Sequence, residues 1–155
     1  MININGKIIV SACLVGYNCK YNGGNNYHPA IAELVKKGDV ILVCPEEMGG
    51  LPTPRPACEI RGGNGNDVLD GNARVVDING RDVTAEFTKG SQKILEQALN
   101  NEVKTAVLKE RSPSCGVNLI YDGTFKGIKK SGMGVLAALL DRHGVKLYSE
   151  EDSLP

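Results

Sequence analysis

Three of the five cysteines stand at equivalent places in the sequence, each soon after a short apolar run. They are Cys13 after residues 8–10, Cys44 after residues 40–43, and Cys115 after residues 105–108. Runs of this length are typical of buried strands in a parallel sheet. Since ligands bind at the carboxyl ends of such strands, we expect the three thiols to meet at one pocket. A single cysteine is often only a small buried residue, but three at matching strand ends favour a functional site.

Three thiols at one pocket restrict the possible chemistry. A structural zinc site needs four closed ligands, commonly arranged as Cys-x-x-Cys pairs, and the sequence contains no such pair. A disulfide relay needs two thiols, one of them with a depressed pKa. Three thiolates suit an iron–sulfur cluster that leaves one iron open. An open coordination position is what makes a metal centre catalytic rather than structural.

Two other interpretations stay open on spacing alone. The first is a thiol-based transferase or redox protein that uses Cys13 or Cys115 as its nucleophile. The second is a module that binds a metal or sulfide without catalysis. Iron content distinguishes the first from a cluster enzyme, and catalytic turnover distinguishes the second.

The elements that position the cysteines follow from hydrophobic periodicity. Helical spacing of apolar residues predicts three helices, over residues 30–37, 83–100 and 135–140. Short apolar runs predict two further strands, at residues 74–78, on a sheet edge, and at residues 145–148. The stretch 45–65 is rich in Pro and Gly and predicts a long loop.

Strands and helices alternate along most of the chain, which predicts a parallel sheet with helices on both faces. We therefore expect an α/β fold in which a single three-layer domain spans residues 1–155. The sheet should be mainly parallel, and the strands that precede the three cysteines should be neighbours in it.

Composition narrows the class of partner. The 155 residues carry a formal net charge of zero, so no global field attracts nucleic acid or a membrane. Trp is absent and aromatic residues are few, which disfavours a base-stacking surface. No apolar run approaches the roughly 20 residues that cross a bilayer, and residues 1–7 do not resemble a secretion signal. We expect a cytoplasmic protein with a small-molecule substrate and no membrane or stable nucleic-acid partner.

The strings around the cysteines are distinctive. They are SACLVG at 11–16 followed by CKYNG at 19–23, VCPE at 43–46 followed by GGLPTPR at 49–55, and LKERSPSCG at 108–116 followed by YDGTF at 121–125. Together, and in this order, they resemble the thiouracil desulfidase family over nearly the whole chain.

The resemblance implies a Rossmann-like α/β domain with a [4Fe-4S] cluster on Cys13, Cys44 and Cys115. The fourth iron would be free to bind the sulfur of the substrate. The implied reaction is hydrolytic desulfuration, in which a thiocarbonyl such as that of thiouracil becomes a carbonyl and sulfide leaves. The resemblance also points to Glu46 as the acid/base carboxylate and to Ser112 as a catalytic hydroxyl.

Several neighbouring residues have less certain roles in this scheme. Glu47 carries the same charge as Glu46 and is an alternative base. Ser114 and Arg55 are predicted to contact the substrate, although Arg55 could instead pair with Glu59. The remaining cysteines, Cys19 and Cys58, do not follow strand ends and are expected to be bystanders, although Cys19 could lie near the cluster. Gly132 and Gly134 either admit a ligand close to the backbone or allow close packing of a helix.

Overall fold

The computed structural model describes residues 6–152. Its strands are β1 Lys7–Ser11, β2 Asp39–Val43, β3 Cys58–Arg61, β4 Arg74–Asp77, β5 Thr105–Leu108, β6 Leu119–Tyr121, β7 Lys129–Ser131 and β8 Lys146–Ser149. Its helices are α1 Pro29–Lys36, α2 Pro45–Met48, α3 Gly65–Leu69, α4 Thr84–Asn100 and α5 Val135–Arg142, and a 3₁₀ turn covers Ala12–Val15.

The central sheet has the strand order β2-β1-β5-β8, and all its pairings are parallel. The strands that precede Cys13, Cys44 and Cys115 are therefore neighbours, with Ile9 paired to both Ile41 and Ala106. This confirms the predicted α/β fold. The order brings the carboxyl ends of β1, β2 and β5 to one edge of the sheet.

Helices cover both faces of this sheet. On one face, Ile8 and Val10 pack with Ile31 of α1. On the other, Ile9 packs with Ile94 of α4 and Leu136 of α5. Because successive strand residues point to opposite faces, burial on both faces requires the continuous apolar runs seen in the sequence. Fully burying each such side chain stabilises the fold by about 1.5–3 kcal/mol.

The three predicted helices, α1, α4 and α5, begin close to their predicted positions, whereas α2 and α3 were not predicted. Pro29 occupies the first position of α1, where its missing N–H costs nothing. The long helix α4 begins at Thr84, whose N–H donates to the Asp82 carboxylate over 2.9 Å. Within residues 6–152, no helix is long and apolar enough to cross a membrane.

The prediction of one long loop over residues 45–65 was wrong. This stretch contains α2, which begins directly after Cys44, and β3. β3 forms an antiparallel hairpin with β4, so the strand predicted at a sheet edge belongs to a separate two-stranded sheet. A second hairpin, β6–β7, was not predicted. These short strands depend on cross-strand partners, such as Val75 opposite Ile60, rather than on local periodicity.

Candidate active site

A cavity of about 500 Å³ lies at the edge of the central sheet where β1, β2 and β5 end. The structure brings Cys13, Cys44 and Cys115 to the wall of this cavity. Cys13 lies in the 3₁₀ turn that follows β1, Cys44 directly follows β2, and Cys115 lies in the loop after β5. The parallel order of these strands thus gathers residues that are about 100 positions apart in the sequence.

All five cysteines lie in the described part of the chain, and none of them forms a disulfide. Cys115 is buried, and both Cys13 and Cys44 are half-buried. Residues 6–152 contain no group of three or more His, Cys, Asp or Glu side chains that could hold a single metal ion.

Hydrogen bonds fix the main chain at Cys13. Its carbonyl accepts the N–H of Gly16 at 3.3 Å and that of Asn26 at 3.0 Å. Burial raises the pKa of the Cys13 thiol, a hydrogen bond with the Asn26 side chain opposes this, and the charge of Glu46 adds to the increase. Without a bound metal, Cys13 is therefore a neutral thiol at pH 7.

Cys44 lies beside a second cysteine. Hydrogen bonding between the two thiols lowers the pKa of Cys44 and raises that of Cys19, so Cys44 ionises first. The Cys44 sulfur lies 3.8 Å from the Cys19 carbonyl, and the same carbonyl accepts an N–H from Arg55 at 2.8 Å. Cys19, expected to be a bystander, is thus part of the cavity wall next to Cys44.

Cys115 lies in a loop with many internal hydrogen bonds, residues 109–118, which we call the cysteine loop. The Ser112 hydroxyl oxygen accepts the N–H groups of Ser114 and Cys115, both at 3.1 Å. Such side-chain bonds to the following backbone are typical of Ser at a turn. Burial raises the pKa of Cys115, and the Glu46 charge raises it further, while hydrogen bonds from Ser11 and Ser114 act in the opposite direction.

The N terminus of α5 holds this loop from one side. The first-turn N–H groups of α5 donate to the carbonyls of Pro113 and Ser114 at 2.9–3.1 Å. The N–H groups in the first turn of a helix have no acceptor within the helix, so these carbonyls satisfy them. Gly134 allows the approach, because a Cβ at this position would lie 2.5 Å from the carbonyl carbon of Ser114. Gly134 therefore serves close packing of a helix against the cysteine loop.

The carboxylate of Glu110 holds the loop from the other side. Its Oε1 accepts the N–H groups of Val117, Asn118 and Leu119 at 2.8–3.0 Å, and its Oε2 accepts the Asn118 side-chain amide at 3.0 Å. Glu110 is only 2% exposed. Burial acts to raise its pKa, but these donors outweigh burial and leave the pKa below its ordinary 4.5. Glu110 was not predicted from the sequence, although a carboxylate two residues beyond a buried strand was a signal for it.

Glu46 reaches the cysteine loop from α2. The Ser114 hydroxyl donates to Glu46 Oε1 over 3.0 Å. The Ser114 oxygen also lies 2.9 Å from the Ser112 oxygen and 3.6 Å from the Cys115 sulfur. A continuous row of polar atoms therefore joins the carboxylate to both serines. Glu47, in contrast, is exposed and accepts the Thr53 hydroxyl at 2.5 Å.

Arg55 lines the cavity, but neighbouring groups engage its guanidinium. It donates to the Thr53 hydroxyl at 2.7 Å and to the Cys19 carbonyl at 2.8 Å. The alternative of an ion pair with Glu59 is wrong: the buried Glu59 carboxylate instead accepts N–H groups from Gly123 and Phe125. Arg55 thus links two loops of the cavity wall.

Cys58 also lies in the cavity wall, at the start of β3. Burial raises the pKa of its thiol to about 12. The thiol lies 3.5 Å from the Pro56 carbonyl, which it can contact as a weak donor. Although it shares the cavity, Cys58 comes from the hairpin rather than from a carboxyl end of the central sheet.

A half-buried ion pair joins Lys109, in the cavity wall, to Glu150. Lys109 Nζ lies 2.9 Å from Glu150 Oε2, and the two side chains are 19% and 9% exposed. Glu150 also accepts the N–H of Glu110 at 2.7 Å, and Lys109 donates to the Glu110 carbonyl at 2.8 Å. These extra bonds offset the desolvation of the charges. The turn after β8 is therefore tied to the start of the cysteine loop.

Comparisons with known proteins identify the family of this chain. The model of the family described as 2-thiouracil desulfurase matches residues 8–152. The chain belongs to the 2-thiouracil desulfurase family. It is similar to the uncharacterized protein YbbK of Bacillus subtilis strain 168, with 45% identity over 145 residues that cover 94% of this chain and 96% of YbbK.

This family member is also similar to a solved structure, that of the [4Fe-4S]-dependent thiouracil desulfidase TudS. The TM-score is 0.83 and the identity is 42%, covering 95% of this chain and 92% of that one. The resemblance inferred from the three motifs is thereby confirmed. At this identity and coverage, the two proteins share the α/β fold over nearly their full lengths.

Proposed function

We propose that this 2-thiouracil desulfurase family member is an enzyme that holds a [4Fe-4S] cluster on Cys13, Cys44 and Cys115. With it, the enzyme hydrolytically removes sulfur from a thiolated nucleobase of the thiouracil type. The observation that carries this proposal is the meeting of three free thiols and a hydrogen-bonded Glu46–Ser114 pair at one cavity. The 42% identity to a [4Fe-4S]-dependent thiouracil desulfidase supports it.

The donors around the cavity fit such a cluster. Thiolates are its usual protein ligands, and three of them occupy three irons and leave the fourth open. Cys13 and Cys115 are neutral thiols without metal, so cluster binding releases their protons. When bound in this way, the cluster supplies a soft Lewis acid that stabilises the departing sulfur.

The reaction exchanges sulfur for oxygen without net electron transfer. The oxygen of a water molecule bonds to the ring carbon, the carbon–sulfur bond breaks, and sulfide leaves with the protons of the water. Glu46 accepts a proton from the attacking water, because it lines the cavity and contacts the cysteine loop through Ser114. The other two carboxylates of the cavity wall, Glu59 and Glu110, are bound by backbone N–H groups. Water thus supplies every atom that the product gains.

The two serines continue the polar row that begins at Glu46. Ser114 donates to the carboxylate and orients it, and Ser112 lies next in the row. We assign to this pair the relay of protons and the orientation of the substrate. Ser114 and Arg55 remain the predicted substrate contacts. Arg55 also donates a hydrogen bond to the Cys19 carbonyl.

A cytoplasmic location and a small thiolated substrate complete the proposal. Five unpaired cysteines in one chain suit a reducing compartment, which keeps thiols free. The cavity volume is in the range of small-molecule sites.

The proposal is tested by incubating anaerobically purified protein with 2-thiouracil. We expect uracil and sulfide in equal amounts, with no added electron donor or acceptor. Full activity of an iron-free preparation would instead support the thiol-nucleophile interpretation. An iron-loaded protein that is inert on every thiolated base would support the binding module.

A further inference from the structure

The loop of residues 122–128 joins β6 to β7 and brings Phe125 to the wall of the cavity. Glu59 on β3 holds this loop in place. Glu59 is 9% exposed, and its Oε1 accepts the N–H of Gly123 at 2.9 Å and that of Phe125 at 3.1 Å. Arg61 donates to the Gly123 carbonyl at 3.3 Å.

The loop lies so close to β3 that only glycine fits at its base. Gly123 has a φ of +93°, and a Cβ there would lie 2.6 Å from the Ile60 carbonyl oxygen. The loop is therefore fixed by contact as well as by hydrogen bonds. Its conformation determines where the next side chains point.

Phe125 has an unusual backbone conformation for its type. Its φ is 59°, in the left-handed region that bulky side chains rarely adopt. Such strain persists only where the surrounding structure imposes it, and it concentrates at ligand sites. The ring is half-buried at the cavity, while Ile60 and Ile120 fill the core beneath the loop. Core packing therefore does not explain why a strained aromatic residue stands here.

We propose that Phe125 determines specificity by packing its ring on the flat face of the substrate heterocycle, and that Glu59 is the residue that positions it. The identity of the heterocycle rests on the proposed function. The cysteines, Glu46 and the serines address the thiocarbonyl group, which acyclic thioamides also contain. The Phe125 ring adds a preference for planar, aromatic thiocarbonyl compounds.

Titration of the anaerobically purified protein with uracil tests this proposal, because uracil has the ring but no sulfur to react. Phe125→Gly removes the aromatic ring and also relieves the left-handed strain. We expect uracil affinity to fall about 5- to 140-fold, the range for loss of stacking between a base and an aromatic residue. The melting temperature should stay the same or rise. In the active enzyme, KM for 2-thiouracil should rise by a similar factor and kcat should change less than about twofold.

Glu102→Gly is the matched control. Glu102 also has a left-handed φ, 54°, but it is exposed and precedes β5, at the end of the strand away from the cavity. This variant should relieve similar strain and leave uracil affinity unchanged. Equal uracil affinity of Phe125→Gly and wild type, or no uracil binding by wild type, would overturn the proposal.

The positioning role of Glu59 has its own test. Glu59→Gln keeps an oxygen that accepts both N–H groups, whereas Glu59→Ala leaves both without a partner. We expect Glu59→Ala to weaken uracil binding as Phe125→Gly does, whereas Glu59→Gln should retain most of the wild-type affinity for uracil. Wild-type affinity in Glu59→Ala would refute the positioning role. If uracil binding depends on Phe125 but the protein releases no sulfide from 2-thiouracil, the proposed function is wrong, whereas the role of Phe125 in binding a heterocycle is supported.

Discussion

The hydrogen bond of 3.0 Å between Ser114 and Glu46 distinguishes the two adjacent carboxylates of α2. Glu46 faces the cavity and the cysteine loop, whereas Glu47 is exposed and bonded to Thr53. At the residue scale, the position of the side chain therefore favours Glu46 as the base. Sequence alone could not separate these neighbours, because they share charge, length and helix.

Glu46→Gln should separate catalysis from cofactor binding. Glutamine keeps the shape of the side chain but cannot accept the proton of water, so we expect sulfide release to fall about 100- to 10,000-fold. Iron content should stay unchanged, because no thiol is altered. Glu47→Gln is the control and should retain near wild-type turnover. A small loss in Glu46→Gln together with a large loss in Glu47→Gln would transfer the role to Glu47.

At the scale of elements, the loop that carries Cys115 is held between two supports. On one side, the Glu110 carboxylate accepts hydrogen bonds from three successive N–H groups. On the other side, N–H groups at the N terminus of α5 donate to two carbonyls of the loop. A ligand loop fixed in this way loses little freedom when it binds a cofactor. Changing either support should therefore alter cofactor retention as well as stability.

Glu110→Gln should weaken the loop in a pH-dependent manner. At neutral pH we expect a loss of about 1–3 kcal/mol in the free energy of unfolding, because an amide group replaces one acceptor oxygen beside the Asn118 amide. The pKa of Glu110 is lowered on folding, so its contribution is fully present above its ordinary pKa of 4.5 and is lost as the pH falls through the folded value.

Urea unfolding of the metal-free protein at a series of pH values measures this contribution. The difference between wild type and Glu110→Gln should shrink as the pH falls below about 4.5. Asp67→Asn is a control, because Asp67 bonds a backbone N–H at the start of α3, outside the cavity wall. That variant should lose stability without faster iron loss from the loaded protein. A constant difference between wild type and Glu110→Gln at all pH values would contradict the assignment.

Gly134→Ala tests the second support. The added methyl group would lie 2.5 Å from the Ser114 carbonyl carbon, so α5 and the loop must move apart. Overpacking of this kind costs about 1–3 kcal/mol, and we expect both a lower melting temperature and faster iron loss. Gly38→Ala is the control, since its nearest atom, the Leu34 carbonyl oxygen, is 3.8 Å away. Equal melting temperatures and iron retention in the two variants would show that the contact is not important.

At the scale of the whole molecule, the parts predictable from the sequence were those with their own periodicity. The continuous apolar run from Ile8 to Val10 correctly predicted a buried strand. Such a run is needed because helices cover both faces of the sheet. The alternation of such runs with helices gave the parallel order. The cysteine motifs then gave the family.

The unpredicted parts depend on partners far away in the sequence. β3 becomes a strand through its pairing with β4, and the N–H of Phe125 donates to Glu59, more than 60 residues earlier. The Cys19 thiol gave no signal either, because a Gly- and Asn-rich loop brings it to Cys44. Local sequence patterns do not contain such information.

We propose that Cys13, Cys44 and Cys115, and not Cys19 or Cys58, hold the cluster that turnover requires. The most direct test is to replace each cysteine with alanine and to measure iron, acid-labile sulfide and sulfide release from 2-thiouracil in anaerobically prepared protein. We expect the three ligand variants to lose colour, iron and activity together, while Cys19→Ala and Cys58→Ala keep all three. A ligand variant that keeps full iron and activity, or a Cys19→Ala protein that loses both, would contradict the assignment.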